Sequence, residues 1–592
     1  MARIFGAALK EKEAYDILIE GLKKLEFSPY DSCGIATIHN SVIYAKKNKG
    51  RVDEVFSDES KKLEGKVGIG HLRWATHGAP AEFNSHPILD CKKSIAVVQN
   101  GVIGNFLELK NELVGNHKFV SKTDTEVIAH AIERSIEYSN DTVKSISEVF
   151  KRLEGCFSVA LITTKLEDSI IAINKGQPLF IGLGKEGNFL SSEIASFVQK
   201  TNKYVRIEEN ELAIINSENF SIYNLNENSK VEKQILETEW DEVKAKKLGY
   251  EHMVLREIME QPLIFRTVMF VQRPYLELIS EFLDKAPKNF IVAMHSSYNA
   301  SVAASYYFSK LANITVFPAL ATEFVEQFGS SIDINTTILF SSPSGRDKEI
   351  LSAVEFARMR ACTILALCNE AYSPLTGMSR AYIVQNSGSP LTKYSVKDFT
   401  SQLIVYLYLA LTLAKKRGKI SQDEIETIMD EIKDLPSLAS EVILKTYKNI
   451  RNVAKFIAKK GYVLVLGRGI SHATALEGKT KLEEMAKMNA IAYPAGESKH
   501  GPISLIEKDI PVVFVAPPDE TRKLLIGNIQ EMSAREAYVV SICAEGDEEI
   551  RSVSKEIIEM PKMHNLIAPI LYTLPLQLLA YFTALEKGIE ID

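Results

Sequence analysis

The chain has 592 residues, 46% of them hydrophobic and 25% charged, with a formal net charge of −6. That length leaves room for about three or four domains, each with its own core, and the composition is ordinary for globular protein. The acidic balance excludes a general electrostatic attraction to nucleic acid or to an anionic membrane surface.

The opening MARIFGAALKEKEAYDILIEGLKKLEF lacks the long apolar run and cleavage site of a signal peptide. Its apolar positions from Ala14 to Leu25 recur at helical spacing and predict an amphipathic helix. No stretch approaches the roughly 20 apolar residues of a membrane span, so the cytoplasm is the expected location and no membrane partner is expected. Cys33, Cys91, Cys156, Cys362, Cys368 and Cys543 are scattered and form no CxxC pair. Neither a disulfide framework nor a zinc site is expected from such spacing.

Up to about residue 225, short apolar runs are broken by Gly, Asn and Asp. VGIGHLRWATHG, SIAVVQNGVIGN, CFSVALITT, SIIAINKG and LFIGLG read as strands with turns. Helical patterns near residues 12–26 and 123–138 interrupt them, which predicts an α+β domain over 1–220 with sheets at its centre. Residues 221–250 are polar and read as a linker.

Beyond residue 250, strands alternate with longer helices. NFIVAMHSSYNA, TTILFSSPSGRDKEIL and YVLVLGRGISHATALEG each read as a buried strand, a Ser- or Gly-rich turn and a helix start. Such alternation predicts parallel sheets with right-handed crossovers. The expected domains are 251–435 and 445–592, and blocks near 285–420 and 455–580 suggest an internal duplication.

Ligands of open α/β sheets bind where strands end and helices begin. Ser296 and Ser297, then Ser342 and Ser344 with Gly345, occupy such junctions. Hydroxyls and backbone N–H groups there suit a phosphate, although serines also serve simply as helix caps. The loop AYPAGESKHGPISL gathers Glu497, Lys499 and His500; its histidine is either a proton-transfer group or a surface residue. Lys481 and Glu484 stand three apart on one helix face, the spacing of an ordinary ion pair.

The strings ALEGKTKLEE, AGESKHGP and LYTLPLQLLAY resemble the second sugar isomerase (SIS) domain of the glutamine–fructose-6-phosphate aminotransferases. HLRWATHG, VQNGVIGN, SKTDTEVIAH, YDSCG and REIMEQP are similar to other parts of the same family, colinear over essentially the whole chain. The resemblance implies an α+β N-terminal nucleophile (class II glutaminase-like) domain followed by two α/β SIS domains. It implies a first domain that hydrolyses glutamine and a second half that isomerises and aminates fructose 6-phosphate. No cofactor or metal is implied, and a homodimer is.

By the same resemblance, Arg73 and Asp124 would clamp the carboxylate and amino group of glutamine, with Thr76, His77 and Gly101 lining the pocket. Asn100 and Gly101 would stabilise the oxyanion, and Trp74 would gate an ammonia channel. Ser296, Ser297, Ser342, Ser344 and Ser395 fall on sugar-phosphate positions. Glu484, Lys481 and His500 fall on catalytic ones, Glu484 moving a proton between sugar carbons and His500 assisting ring opening.

Several positions depart from the family pattern. The family opens Met-Cys-Gly and uses that cysteine as nucleophile; here Ala2 and Arg3 stand in those places, and Ser28 and Pro29 replace the arginine-glycine of YRGYDS. Loss of a nucleophile costs on the order of 10⁶ in turnover. Pro343 replaces a glutamine and Asp347 a threonine in the phosphate turn, where only inward-turned Arg346 and Lys348 would offset the added negative charge. Met294 and His295 replace a cysteine-glycine. The sequence ends at EID, short of the family's Schiff-base lysine and closing tail.

These departures predict a glutaminase-dead relative that binds a sugar phosphate and glutamine in a regulatory or structural role. The alternatives are a phosphosugar isomerase without amidotransfer, for which Glu484 and His500 speak, and an authentic aminotransferase using unfamiliar groups.

Overall fold

The computed structural model describes residues 3–27, 30–58, 60, 62–75, 77–139, 141–238, 246–388 and 390–591. Ala2, Ser28, Pro29 and Thr76 lie outside the described residues. The chain forms two compact units, one made mainly of residues 1–251 and one of the remainder.

In the N-terminal unit two antiparallel sheets of eight and seven strands lie face to face between helices. Strand Ile95–Ile103 shows how the sequence dictates this layering. Successive side chains of a strand point to opposite faces; Ala96 and Val98 join the core between the sheets, whereas Ile95 and Val97 pack under helices. Small Ala8, Ala36, Ala96, Ala160 and Ala172 recur in the inter-sheet core and let the two sheets approach closely. The amphipathic helix expected near the N-terminus is Ala14–Lys24, and it covers the outer face of the eight-stranded sheet. Glu126–Glu137 answers the second helical pattern. Phe106–Leu113 and Thr142–Arg152, which no periodicity singled out, pack beside it.

The segment expected as a linker is in part strand. Phe220–Asn224 extends the seven-stranded sheet, and Leu236–Glu237 pairs with Lys203–Ile207 in the other. Its polar side chains belong to short edge strands, whose outer positions need no apolar residue.

The second unit contains two five-stranded parallel sheets with one and the same strand order, 2-1-3-4-5. Their strands, such as Thr336–Ser341 and Pro511–Ala516, are buried throughout, as expected where helices cover both sheet faces. The repeated order agrees with the duplication suggested by the sequence. Helix Gln422–Ile457 runs continuously across the expected domain boundary and spans about 54 Å at 1.5 Å per residue.

One expectation is corrected. Ala568–Glu586, 19 residues, is long and apolar enough to cross a membrane by length and composition. It is a buried core element: 94% of its most apolar 18-residue stretch is inside the protein, and the segment packs against helices Gln422–Ile457 and Ser471–Ala486. An apolar surface all round a helix is what complete burial requires.

Candidate functional site

In the N-terminal unit the candidate glutamine residues gather where strands Val67–Arg73 and Ile95–Ile103, from different sheets, end beside one another. Arg73 donates from Nη2 to the carbonyls of His77 and of Gly78, the latter at 2.8 Å. His77 Nδ1 lies 3.8 Å from Asp124. The Asp124 carboxylate in turn accepts from Gln99 Nε2 at 3.1 Å and from the Ile103 amide at 3.0 Å. The structure therefore brings Arg73, His77, Asn100, Gly101 and Asp124 together. Trp74 is half-buried at the strand end.

The oxyanion pair has a local physical basis. Gly101 has φ +94°, and a Cβ there would fall 2.1 Å from the Cys156 carbonyl, so only glycine fits. His71 Nε2 sits 3.2 Å from Asn100 Oδ1. Burial pushes His71 down to about 3, against the opposing bond to Asn100. The neutral ring donates from Nε2, which leaves the Asn100 amide N–H groups to face outward. Burial likewise pushes His77 down, with Asp124 opposing.

The second unit builds its site at a topological switch. Strands Lys288–Ala293 and Thr336–Ser341 are neighbours, and the chain leaves them in opposite directions along the sheet, so their C-terminal ends frame a crevice. From the first strand springs helix His295–Tyr307; from the second, the turn Ser342–Asp347. Helix Ser471–Ala486, from the other sheet's first crossover, brings Glu477, Lys481 and Glu484 to this crevice on one face, at i, i+4 and i+7.

These side chains interlock. Lys481 Nζ is 2.9 Å from Glu484, 3.4 Å from Glu477, and donates to the Tyr394 carbonyl beside Ser395. Glu477, fully buried, accepts from Ser296 Oγ and from Asn299 Nδ2, each at 2.9 Å. His295 Nε2 lies 3.0 Å from Glu484. Burial opposes charge on both Lys481 and Glu484, yet the opposite charges prevail: Glu477 and Glu484 hold the ammonium above its usual range. The His295 bond and the Lys481 charge hold the Glu484 carboxyl below its own.

The phosphate-type hydroxyls are occupied by the protein itself. Ser342 and Ser344 both donate to one oxygen of Asp347, the second at 3.3 Å. Ser297 Oγ accepts from Gln402 at 3.0 Å. Arg346 pairs at 3.0 Å with Glu370 and so does not bring its charge to bear on Asp347 as the sequence allowed. Ser395 is half-buried with φ 47°. His500 sits exposed in the turn after Glu497 and joins the Lys481 group by no hydrogen bond or ion pair among the described residues.

Sequence reasoning missed Gln99 and His71 in the first site and Glu477, Asn299 and Gln402 in the second. Glu477 had a legible signal, lying one helical turn before Lys481. The others reach their partners only through tertiary structure.

The family description "Glutamine amidotransferase domain" matches residues 33–251, and "SIS domain" matches residues 282–412 and 456–587. The glutamine–fructose-6-phosphate aminotransferase (isomerizing) of Thermococcus kodakarensis is 34% identical over 584 residues, covering 98% of this chain and 96% of its own. That of Clostridium perfringens is 35% identical over 594 residues, covering 98% and 97%. The solved C-terminal domain of the aminotransferase from Francisella tularensis superposes with a TM-score of 0.55 at 30% identity, over 58% of this chain and 99% of that one. Identity at this level along nearly the full length, joined to one glutamine amidotransferase and two SIS matches, shows that the chain belongs to the glutamine–fructose-6-phosphate aminotransferase family.

Proposed function

We propose that this chain is a glutaminase-dead member of its family that binds a sugar phosphate, and binds glutamine without cleaving it, in a regulatory or structural role. The observation that carries the reading is the pinning of Glu484 between Lys481 and His295. A general base works best with a pKa near the operating pH, and both neighbours hold this carboxyl lower.

The glutamine half supports the same reading. Alanine at position 2 offers no thiol, and the N-terminal unit's cysteines do not replace it. Cys33 is buried, donates to the Gly50 carbonyl and is pushed up to about 12 by burial. Cys156 is buried against Gln177. Burial also raises Cys91, so neither shifted thiol is held as the reactive thiolate. Arg73 and Asp124 survive as an oppositely charged clamp suited to an amino acid. A homodimer and a cytoplasmic location complete the proposal, on the strength of family resemblance.

A paired assay with fructose 6-phosphate, once with glutamine and once with free ammonia, tests it. The expected result is neither glutamate release nor glucosamine 6-phosphate. Formation of glucosamine 6-phosphate at an ordinary enzymatic pace from either nitrogen source overturns the reading and favours the authentic aminotransferase.

One observation favours a second reading, a phosphosugar isomerase without amidotransfer. His295 Nε2 lies 3.0 Å from Glu484, so the pair offers both a proton donor and an acceptor. Incubation with fructose 6-phosphate and glucose 6-phosphate, read by NMR, decides: no interconversion above a Glu484→Gln control ends that alternative.

A further inference from the structure

Cys91, His117, His130 and Glu133, drawn from three segments, converge in the N-terminal unit. One ligand atom from each lies within 4.8 Å of all the others. Cys91 Sγ is 3.9 Å from His117 Nδ1 and 3.7 Å from His130 Nδ1. Glu133 Oε2 is 3.0 Å from His117 Nδ1 and 3.3 Å from His130 Nδ1. Zinc–nitrogen, zinc–oxygen and zinc–sulfur bonds of about 2.0–2.3 Å make a tetrahedron with edges of roughly 3.3–3.8 Å. Of the four distances, 3.3 and 3.7 Å fall in that range and 3.0 and 3.9 Å lie just outside it, with the sulfur edges the longer ones, as the larger atom requires.

We infer that Cys91, His117, His130 and Glu133 form a structural zinc site. Thiolate, imidazole and carboxylate together are the ligand set of zinc, and four protein ligands leave no open position for catalysis.

The surroundings are those of a metal centre. Metal-binding histidines commonly turn their second nitrogen to a carboxylate. Here His130 Nε2 faces Glu126 at 3.5 Å, and Glu126 is itself fixed by the amides of Val120 and Ser121, each at 2.7 Å. The Lys118 amide donates to Cys91 Sγ at 3.4 Å and the Cys91 amide to Glu133 at 3.2 Å, which orients both ligands. Without a metal, the two imidazole Nδ1 atoms share one carboxylate oxygen and one thiol as their partners. A cation at the centre uses all four groups at once. The geometry is within reach of solvent, since Cys91 is exposed and borders a cavity of about 500 Å³.

No CxxC pair marks this site in the sequence. Its ligands come from the hairpin turn after Leu89, from the segment after helix Phe106–Leu113, and from helix Glu126–Glu137, where His130 and Glu133 are three apart. Zinc would tie these three pieces together, with His130 six residues along the chain from Asp124 of the glutamine-type pocket.

The full-length protein, stripped with chelator and reloaded with zinc or cobalt, tests the inference. One metal per chain is expected by elemental analysis, with melting raised by several degrees and lowered again by chelator. Cobalt should give intense tetrahedral visible bands and a thiolate charge-transfer band in the near ultraviolet. Cys91→Ser, at an exposed position, should abolish the charge-transfer band, and His117→Gln should weaken retention at least tenfold. Failure to retain metal, or a cobalt spectrum unchanged in Cys91→Ser, overturns the site.

Discussion

His295 stands at φ 54° with its Nε2 3.0 Å from Glu484, so a residue in a glycine's conformation closes on a carboxylate the family would use for proton transfer. The left-handed conformation costs a non-glycine residue about 1–2 kcal/mol. His295→Gly relieves that strain and removes the contact. The expected outcome is a melting point within a few degrees of the wild type and a Glu484 carboxyl that titrates higher, read by infrared or isotope-edited NMR titration. An unmoved carboxyl would show that Lys481 alone sets its charge.

Glu484 also links to acid stability. Its folded pKa lies below the ordinary 4.5, so its stabilisation is present above about pH 4.5 and fades as pH falls through the lower folded value. Glu484→Gln should lose stability at pH 7 and show a flatter acid limb, measured by denaturant melts between pH 3 and 7.

Asp347 occupies the hydroxyls of Ser342 and Ser344 with its own carboxylate. At about 5 Å and an effective dielectric near 20, each unit of like charge on a phosphate costs roughly 3 kcal/mol. Asp347→Thr should tighten binding of fructose 6-phosphate at least tenfold in calorimetry, with little change in stability. Equal affinities would mean the phosphate binds elsewhere.

Glutamine should bind the wild-type protein with measurable heat and no hydrolysis. Arg73→Ala should weaken it at least tenfold, since one half of the clamp is gone. Equal heats from the two proteins would remove the glutamine site.

His71 stays neutral in the folded protein, at about 3, whereas an ordinary imidazole titrates near 6.5. Below about pH 6.5 the unfolded chain binds a proton that the folded one refuses. Stability therefore falls with pH by up to about 1.4 kcal/mol per unit, until the folded value is reached. His86, stacked on His71 at a centroid distance of 4.4 Å and also pushed down by burial, adds to the trend. Melts of the N-terminal unit at pH 7.5 and 5 should differ by more in the wild type than in His71→Gln.

Sequence by itself determined the architecture. The texture change near residue 250, the strand-turn-helix repeats and the motifs around Arg73, Asn100 and Lys481 specify the layers and the duplication, because hydrophobic period and turn chemistry are local properties. It also located the turns that carry Ser296 and Ser342 after strands, since strand ends follow from the same periodicity. Tertiary structure alone decided what those residues do to one another. That His295 reaches Glu484 from another sheet's helix, and that Arg346 pairs with Glu370, depends on distances between elements far apart in the chain. The meeting of Cys91 with His117, His130 and Glu133 was equally unreadable. A ligand set scattered over three elements has no spacing to recognise; it exists only once packing has brought its atoms within a few ångströms.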